Sequence, residues 1–111
     1  MNALAELTEI MGRLDIPVET GVFSDAAPAL YCVLTPLYEE SAVQGDGEEL
    51  LTRQEVRISL YSQEEYTSAK KKIVAAVKAN GFTVTSRFYI GFDDETAYHQ
   101  FEIDVAKDYP D

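Results

Sequence analysis

The sequence predicts one α+β domain of two layers, in which a largely antiparallel sheet of four to five strands carries two helices on one face. Two segments show the apolar spacing of amphipathic helices. Several shorter segments alternate apolar and polar residues, and turn residues separate them at distances typical of hairpins. Since 111 residues suit one domain, we assign residues 1–111 to it, in the order α-β-β-β-α-β-β.

The first predicted helix spans residues 2–15. Its apolar stripe recurs at spacings of three and four residues, through Leu4, Leu7, Met11 and Leu14. Pro17 ends the helix, because the residue before a proline avoids helical backbone angles.

Three strands are predicted next. Residues 18–23 and 29–38 are apolar and rich in strand-forming residue types. Pro36 within the second stretch indicates that this strand lies at a sheet edge or bends there, since proline cannot donate to a strand ladder. Residues 55–61 alternate apolar and polar positions, which is typical of a strand with one wet face.

Residues 39–50 differ in character from the flanking strands. From residue 39 to residue 49 the chain has five acidic residues, no basic residue and two glycines. Such a segment buries little apolar surface. We therefore predict a mobile acidic hairpin loop over residues 39–50, at the tip of a long hairpin.

The second predicted helix and a final hairpin complete the order. Ser62 and Glu65 have the spacing of a capping box at the start of the helix. Asn80 and Gly81 supply a left-handed stop. Residues 82–90 and 98–106 then alternate as two strands joined by a turn over residues 91–96, and residues 107–111 are expected to fray.

The charge balance restricts the partners of this domain. Twenty Asp and Glu face nine Lys and Arg, for a formal net charge of −11. Binding to nucleic acid through phosphates needs clustered basic residues, and the one dense cluster, Lys70-Lys71-Lys72, sits in an otherwise acidic chain. We therefore expect no direct sequence-specific binding to nucleic acid and no binding to membranes. We expect no signal peptide, because no basic region followed by an apolar stretch stands at the N-terminus, and no membrane span, because no run approaches about 18 apolar residues. We expect a protein of the cytoplasm, or of a particle assembled there.

No set of residues in the sequence has the pattern of a catalytic, metal or cofactor site. Cys32 lies in an apolar run and is predicted to be buried. His99 has no nucleophile or further zinc ligands to complete a site. The acidic turn at residues 93–95 lacks the pattern of a calcium loop. We predict no enzyme activity, no metal and no cofactor; a carboxylate-based hydrolase would require two acids across a pocket.

Tyrosines and acids are the candidate contact residues for partner proteins or other copies. Tyrosine is enriched at protein interfaces because it joins a large apolar ring to a polar tip. A structural role as an ordinary sheet residue beside a solvated face explains any single tyrosine equally well. The residues assigned to a partner or oligomer interface are Tyr31, Tyr38, Glu39, Glu40, Asp46, Glu48 and Glu49.

The second half of the chain resembles a known group of proteins. The resemblance is carried by Arg57-Ile58-Ser59-Leu60-Tyr61-Ser62, Tyr66-Thr67, Lys71-Lys72-Ile73, Asn80-Gly81-Phe82, Phe88-Tyr89-Ile90 and Glu95-Thr96-Ala97-Tyr98-His99-Gln100-Phe101. These segments resemble small tail-component proteins of long-tailed bacteriophages and prophages, the tail completion or tail terminator group. Residues 1–56 fit that group in element order only.

The resemblance implies a non-enzymatic structural protein of the virion tail, assembled in the host bacterial cytoplasm. Such proteins form a ring, commonly of six subunits, that ends the tail tube and meets the head connector. The implied partners are further copies of the chain, the tail-tube protein and the head-connector protein, and the free protein can be a monomer. The alternative is a small cytoplasmic ferredoxin-like binding or regulatory module, which requires a defined apolar pocket.

Overall fold

The computed structural model describes residues 2–22, 27–44 and 49–110. In chain order its elements are α1 (Ala3–Arg13), β1 (Val18–Thr20), β2 (Leu30–Gln44), β3 (Glu49–Ser62), α2 (Thr67–Ala79), β4 (Thr83–Asp93) and β5 (Tyr98–Pro110). The strands form one sheet in the order β1-β2-β3-β5-β4. Within the described residues, β1 and β2 are the one pair of neighbouring strands that run parallel. The predicted class, element order and largely antiparallel sheet are confirmed.

The hydrophobic core lies between the two helices and one face of the sheet. Leu7 of α1 and Ile73 of α2 belong to the same buried cluster as Ile58 of β3 and Ile103 of β5, and all four side chains are fully buried. Because alternate residues of a strand share a face, the alternation at residues 56, 58 and 60 predicts this buried face. Both helices therefore cover one face, as predicted.

The α1 helix begins and ends at local signals in the chain. The Asn2 side chain caps it by accepting a hydrogen bond from the Ala5 amide at 2.8 Å. At the other end Asp15 has a φ of 60°, and the Ile16 amide donates to the Met11 carbonyl at 3.0 Å. The helix thus stops at Arg13, slightly before the predicted end.

The predicted capping box of α2 is wrong. Ser62 is the last residue of β3 and lies opposite Leu30 and His99 in the sheet, so strand pairing holds it away from the helix. The helix begins at Thr67, and the Glu65 carboxylate accepts hydrogen bonds from the amides of Thr67 and Ser68. The hydrogen bond to Thr67 lowers the pKa of Glu65.

The predicted loop over residues 39–50 is wrong for most of its length. Residues 39–44 continue β2, residues 49 and 50 begin β3, and residues 45–48 lie outside the described part of the chain. In the strand pairing Glu39 lies opposite Gln54, and Glu40 lies opposite Arg53. Pairing with a complementary strand holds this acidic segment in the sheet although its own composition favours a loop.

Pro36 marks a bend and an edge in β2, as predicted. The register shifts between Pro36 and Tyr38, so Leu37 is an extra residue in the ladder. The parallel partner β1 reaches only from Cys32 to Leu34. Beyond Leu34, β2 therefore has a strand partner on one side only among the described residues.

The C-terminal segment is anchored by side chains, so the predicted fraying is wrong up to Pro110. The Lys107 ammonium donates to the Glu6 carboxylate at 2.8 and 3.0 Å and to the Asn80 carbonyl at 2.8 Å. The Tyr109 hydroxyl donates to Glu6 at 2.7 Å. These hydrogen bonds tie the end of β5 to α1 and to the end of α2.

The Glu6 network should make stability depend on pH in the acid range. Burial by itself raises the pKa of Glu6, but the hydrogen bonds from Lys107 and Tyr109 and the charge of Lys107 outweigh it and lower the pKa. A depressed carboxyl pKa contributes stability above the unfolded-state pKa, and this is lost as the pH falls through the folded-state pKa. We expect Glu6→Gln to lower the free energy of unfolding by about 2 kcal/mol at neutral pH. Urea unfolding from pH 7 to about pH 3 should show this difference shrinking.

The matched control for Glu6→Gln is Glu9→Gln. Glu9 is exposed on the same helix and forms no ion pair among the described residues. Glu9→Gln should therefore change stability by less than about 0.5 kcal/mol at every pH. A difference between wild type and Glu6→Gln that stays constant with pH would contradict the assigned role of the carboxylate.

Candidate functional site

The outer edge of the sheet at β4 carries the largest group of exposed apolar side chains in the described part of the chain. Among those residues β4 pairs only with β5. Phe88, Tyr89, Ile90 and Phe92 are 38, 44, 49 and 52% exposed. We call these four residues the aromatic edge. Exposed apolar patches of this kind mark interaction sites.

Two irregularities shape the aromatic edge. The register between β4 and β5 shifts between Val84 and Ser86 and again between Tyr89 and Gly91, which leaves Thr85 and Ile90 as extra residues. Gly91 follows the second bulge with a φ of 156°, a conformation that other residues rarely adopt. Bulges bend a strand and interrupt its regular ladder, so β4 offers a partner its side chains rather than a long backbone edge.

On the helix side of the sheet, the exposed rings rest on an aromatic cluster. Tyr89 stacks on Tyr66 with ring centroids 5.5 Å apart. The Tyr89 hydroxyl forms a hydrogen bond of 2.9 Å with His99 Nδ1, and the Phe92 ring lies 4.7 Å from the His99 ring. The buried ring of Phe101 stacks beneath Tyr66 at 5.7 Å. The half-buried His99 thus holds two exposed rings in place. Because these rings are already ordered, binding a partner would cost less side-chain entropy.

The opposite face of the sheet carries a cluster of three tyrosines. Tyr31 and Tyr61 stack at 4.8 Å with their planes 10° apart, and Tyr98 meets both rings edge-on at 5.4 and 6.3 Å. The Tyr98 hydroxyl donates to the Pro28 carbonyl at 2.7 Å. Burial raises the pKa values of Tyr31 and Tyr61, so both stay neutral at physiological pH. A groove of about 540 Å³ lies between this cluster and the aromatic edge.

Two buried carboxylates lie in the middle of the same face. Arg57 Nε and Nη2 donate to the two oxygens of Asp104 at 2.9 and 3.0 Å, and this hydrogen bonding raises the pKa of Arg57. The Ser59 hydroxyl donates to Glu102 at 2.6 Å. Only 6% of Asp104 and 5% of Glu102 is exposed. Both acids thus have fixed partners within the sheet.

The residues assigned to an interface from the sequence lie in different places. Tyr31 belongs to the half-buried tyrosine cluster, whereas Tyr38, Glu39 and Glu40 are exposed on β2 beyond the end of β1. Glu49 is described only as the first residue of β3, and Asp46 and Glu48 lie outside the described residues. The structure therefore brings three of the seven together, at the free edge of β2.

A second groove adjoins that edge of β2. It has a volume of about 270 Å³. Its lining includes Leu4 in the first turn of α1, residues 36–39 of β2 and residues 54–56 of β3. The exposed part of its wall is apolar at Leu37 and acidic at Glu39. We call this feature the β2 groove.

Charge is divided between the two ends of the sheet. Residues 1–49 contain ten Asp and Glu and one Lys or Arg, whereas residues 67–92 contain five Lys and Arg and no Asp or Glu. The first segment includes α1, β1 and β2, and the second includes α2 and nearly all of β4. Since β1 and β2 lie at one end of the sheet and β4 at the other, basic residues are concentrated on the side of α2 and β4, up to the acidic turn at residues 93–95.

Residues 2–22, 27–44 and 49–110 contain neither a cluster of metal ligands nor a membrane-spanning helix. No three His, Cys, Asp or Glu side chains in that part of the chain lie close enough together to hold a metal ion. Neither of the helices formed by those residues is long and apolar enough to cross a bilayer.

The Cys32 thiol should not react with thiol-specific reagents in the folded protein. Cys32 is fully buried, and burial raises the pKa of its thiol to about 12. Because the thiolate is the reactive form, a thiol-specific reagent should leave the native protein unmodified at pH 8 and label one site per chain in denaturant. Mass spectrometry after a timed exposure measures this. Rapid labelling without denaturant would show that β2 opens locally.

Sequence reasoning missed the aromatic edge as a surface. The alternation over residues 82–90 predicts a strand with two different faces, and the predicted hairpin allows Tyr89 and Tyr98 to pair across it. The structure instead places Tyr89 opposite Phe101, with Tyr98 on the other face of the sheet. The available signal was the uninterrupted run of large apolar residues from Phe88 to Ile90, because a strand with one wet face would carry a polar residue at its centre.

Comparisons with known proteins give a likeness of fold. No protein-family model and no curated protein sequence matches the chain. Among solved structures, the fold is similar to that of a chain from the "Virion of native gene transfer agent (GTA) particle", with a TM-score of 0.54 and 10% sequence identity. The match covers 98% of this chain and 92% of the other. The whole domain thus shares its fold with a chain of a virion.

Proposed function

We propose that this chain is a non-enzymatic structural protein of a virion tail, which forms a ring that ends the tail tube or joins it to the head connector. The observation that carries this proposal is the likeness of fold to a chain of a virion over nearly the full length of both chains. The resemblance of residues 57–105 to tail completion and tail terminator proteins supports the same role.

The surfaces of the molecule suit assembly. A ring forms when one patch of each subunit contacts a different patch of its neighbour. The aromatic edge and the free edge of β2 are two such patches, at opposite ends of the sheet. A net charge of −11 keeps free copies apart until these patches meet. We propose a ring of six subunits, made from copies that are monomeric in the host bacterial cytoplasm.

The acidic hairpin has a proposed role of its own within the ring. We assign Glu39, Glu40, Asp46, Glu48 and Glu49 to a position that faces the lumen, a basic partner or the basic side of a neighbouring copy, where their charge repels DNA or attracts the basic surface. Replacing all five with Gln should then impair assembly or infectivity of the particle. Unchanged assembly and infectivity would rule this role out.

Negative-stain electron microscopy tests the main proposal. The purified protein is imaged at high concentration, alone and mixed with preformed tubes of a candidate tail-tube protein. Rings, or caps at tube ends, are expected, and they would give the subunit number. A protein that stays monomeric and leaves tube ends bare would count against the proposed function.

The groove beside the tyrosine cluster favours one second candidate, a ferredoxin-like binding module. Its volume of about 540 Å³ falls in the range of small-molecule pockets, and its lining combines aromatic rings with the polar side chains of Asp93 and Gln100. A thermal-shift screen against planar aromatic compounds would test it. A hit that Tyr61→Ala abolishes, together with no rings, would favour this candidate over the structural one.

A further inference from the structure

The two free edges of the sheet have complementary features. The side of β4 is apolar along the aromatic edge and basic beside it, where Lys78 and Arg87 line one shallow groove and form no ion pair among the described residues. The side of β2 offers the β2 groove and two exposed acids, Glu39 and Glu40. In the sheet, β3 and β5 lie between β2 and β4. One molecule can therefore contact a different copy through each of the two edges.

We propose that neighbouring copies join head to tail, with the aromatic edge of one copy seated in the β2 groove of the next. In this contact Lys78 and Arg87 of the first copy face Glu39 and Glu40 of the second. The proposal rests on the proposed function, because it names the surfaces through which the ring would close. The β2 groove is thus occupied by a second copy of this chain.

Shape and chemistry support the pairing of these two surfaces. The β2 groove has a volume of about 270 Å³, enough for one aromatic side chain, and Leu4 and Leu37 contribute to its apolar lining. Interfaces take most of their binding energy from a few aromatic anchors in such pockets. Phe92 and Tyr89 are prepared for this role, since their contacts with His99 already restrict them. The charged pairs around the anchors would set the register of the contact.

The contact is assigned to side chains and not to a continuous sheet between copies. The bulges at Thr85 and Ile90 leave only residues 86–89 of β4 in regular pairing between them. On β2, the extra residue Leu37 distorts the free edge, and Pro36 has no amide hydrogen to donate. Both edges thus carry the features that natural proteins use against strand addition.

The same charges disfavour the wrong pairings. Two copies meeting through their β2 edges would bring four acids together, and two copies meeting at Lys78 and Arg87 would bring four basic side chains together. Like-charge contacts of this kind exclude wrong partners. Only the head-to-tail arrangement joins unlike edges, and repetition of such a contact closes a ring when the rotation between copies allows it.

Site-directed crosslinking tests the arrangement. One variant carries Leu37→Cys and another carries Ile90→Cys, and Cys32 stays buried in both. With a short bismaleimide at high protein concentration, the mixture of the two should give covalent dimers, and each variant alone should give few. A chain with both substitutions should give a ladder of oligomers. Ala75→Cys, exposed on α2, replaces Leu37→Cys in the control mixture and should give no more than background.

Charge reversal sharpens the test. Arg87→Glu in the Ile90→Cys copy should lower the yield of mixed dimers several-fold, and Glu39→Lys with Glu40→Lys in the Leu37→Cys copy should restore it. Mixed dimers no more abundant than the Ala75→Cys control, or Ile90→Cys homodimers as abundant as mixed dimers, would overturn the head-to-tail contact. If the wild-type protein forms rings but the crosslinking gives either of these two results, the head-to-tail contact is wrong and the proposed function still stands. Monomeric protein and bare tube ends in the microscopy test count against the proposed function itself.

Discussion

Replacing Ile58 with Ala should lower the free energy of unfolding by about 3 kcal/mol, within the usual range for removing a large aliphatic side chain from a core. Ile58 is fully buried on β3, directly between Leu34 of β2 and Ile103 of β5, and both of these are also fully buried. The lost methyl and methylene groups leave a cavity that strands on both sides prevent from closing. Urea unfolding followed by far-UV circular dichroism measures the change.

Ile90→Ala is the matched control, because it removes the same atoms from an exposed position. Ile90 is 49% exposed at a bulge in β4. In dilute protein, where no copies associate, it should change the free energy of unfolding by less than about 1 kcal/mol. Equal losses for the two substitutions would mean that the assigned core is not the centre of the folded structure.

Arg57→Leu should lower the free energy of unfolding by about 2–3 kcal/mol. It leaves the carboxylate of Asp104, whose side chain is 8% exposed, without its cation. Removing one partner of a buried ion pair is strongly destabilising, because the remaining charge stays desolvated. The expected loss is smaller than for a fully buried pair, because the Arg57 side chain is 36% exposed and solvent screens its charge.

The double variant Arg57→Leu, Asp104→Leu separates the loss of the pair from the exposure of an unpaired charge. It should regain much of the stability lost in Arg57→Leu, since no unpaired carboxylate remains. The coupling energy follows from the four unfolding free energies of the double-mutant cycle. A double variant less stable than both single variants would show that the pair itself supports the sheet.

Periodicity was enough to predict the elements that form the core. The spacing of Leu4, Leu7 and Met11 and the alternation of Ile58 and Leu60 each follow from the geometry of a helix or a strand with one buried face. Those side chains lie in, or pack against, the core between the helices and the sheet. The stop of α2 was also predictable, because Gly81 takes a φ of 86° that a side chain would disfavour.

Two of the failed predictions concern segments in which pairing with a distant strand outweighs the structural preference of the local sequence. Residues 39–44 are acidic, yet they form a strand because residues 49–54 pair with them. Ser62 has the residue type and spacing of a helix cap, yet it pairs with His99 across the sheet. In both segments, hydrogen bonds to another strand compensate for an unfavourable local sequence.

The candidate site depended still more on tertiary structure. Tyr31, Tyr61 and Tyr98 lie on three different strands and form one cluster only because of the strand order. Glu39 and Glu40 could be named as contact residues from the sequence, because charge and polarity are visible there. Their position beside a groove, opposite the basic side of the molecule, follows from the sheet.

The amino-acid sequence by itself determined the class of fold, the order of the elements and the buried faces of α1 and β3, because these follow from local periodicity and turn chemistry. It also determined the strong acidity of the chain and the segments in which acids and bases are concentrated. Only the tertiary structure decided that β4 and β2 present free edges at opposite ends of the sheet. The physical reason is that an edge is defined by the absence of a neighbouring strand, and strand order depends on pairing between distant segments that no local pattern encodes.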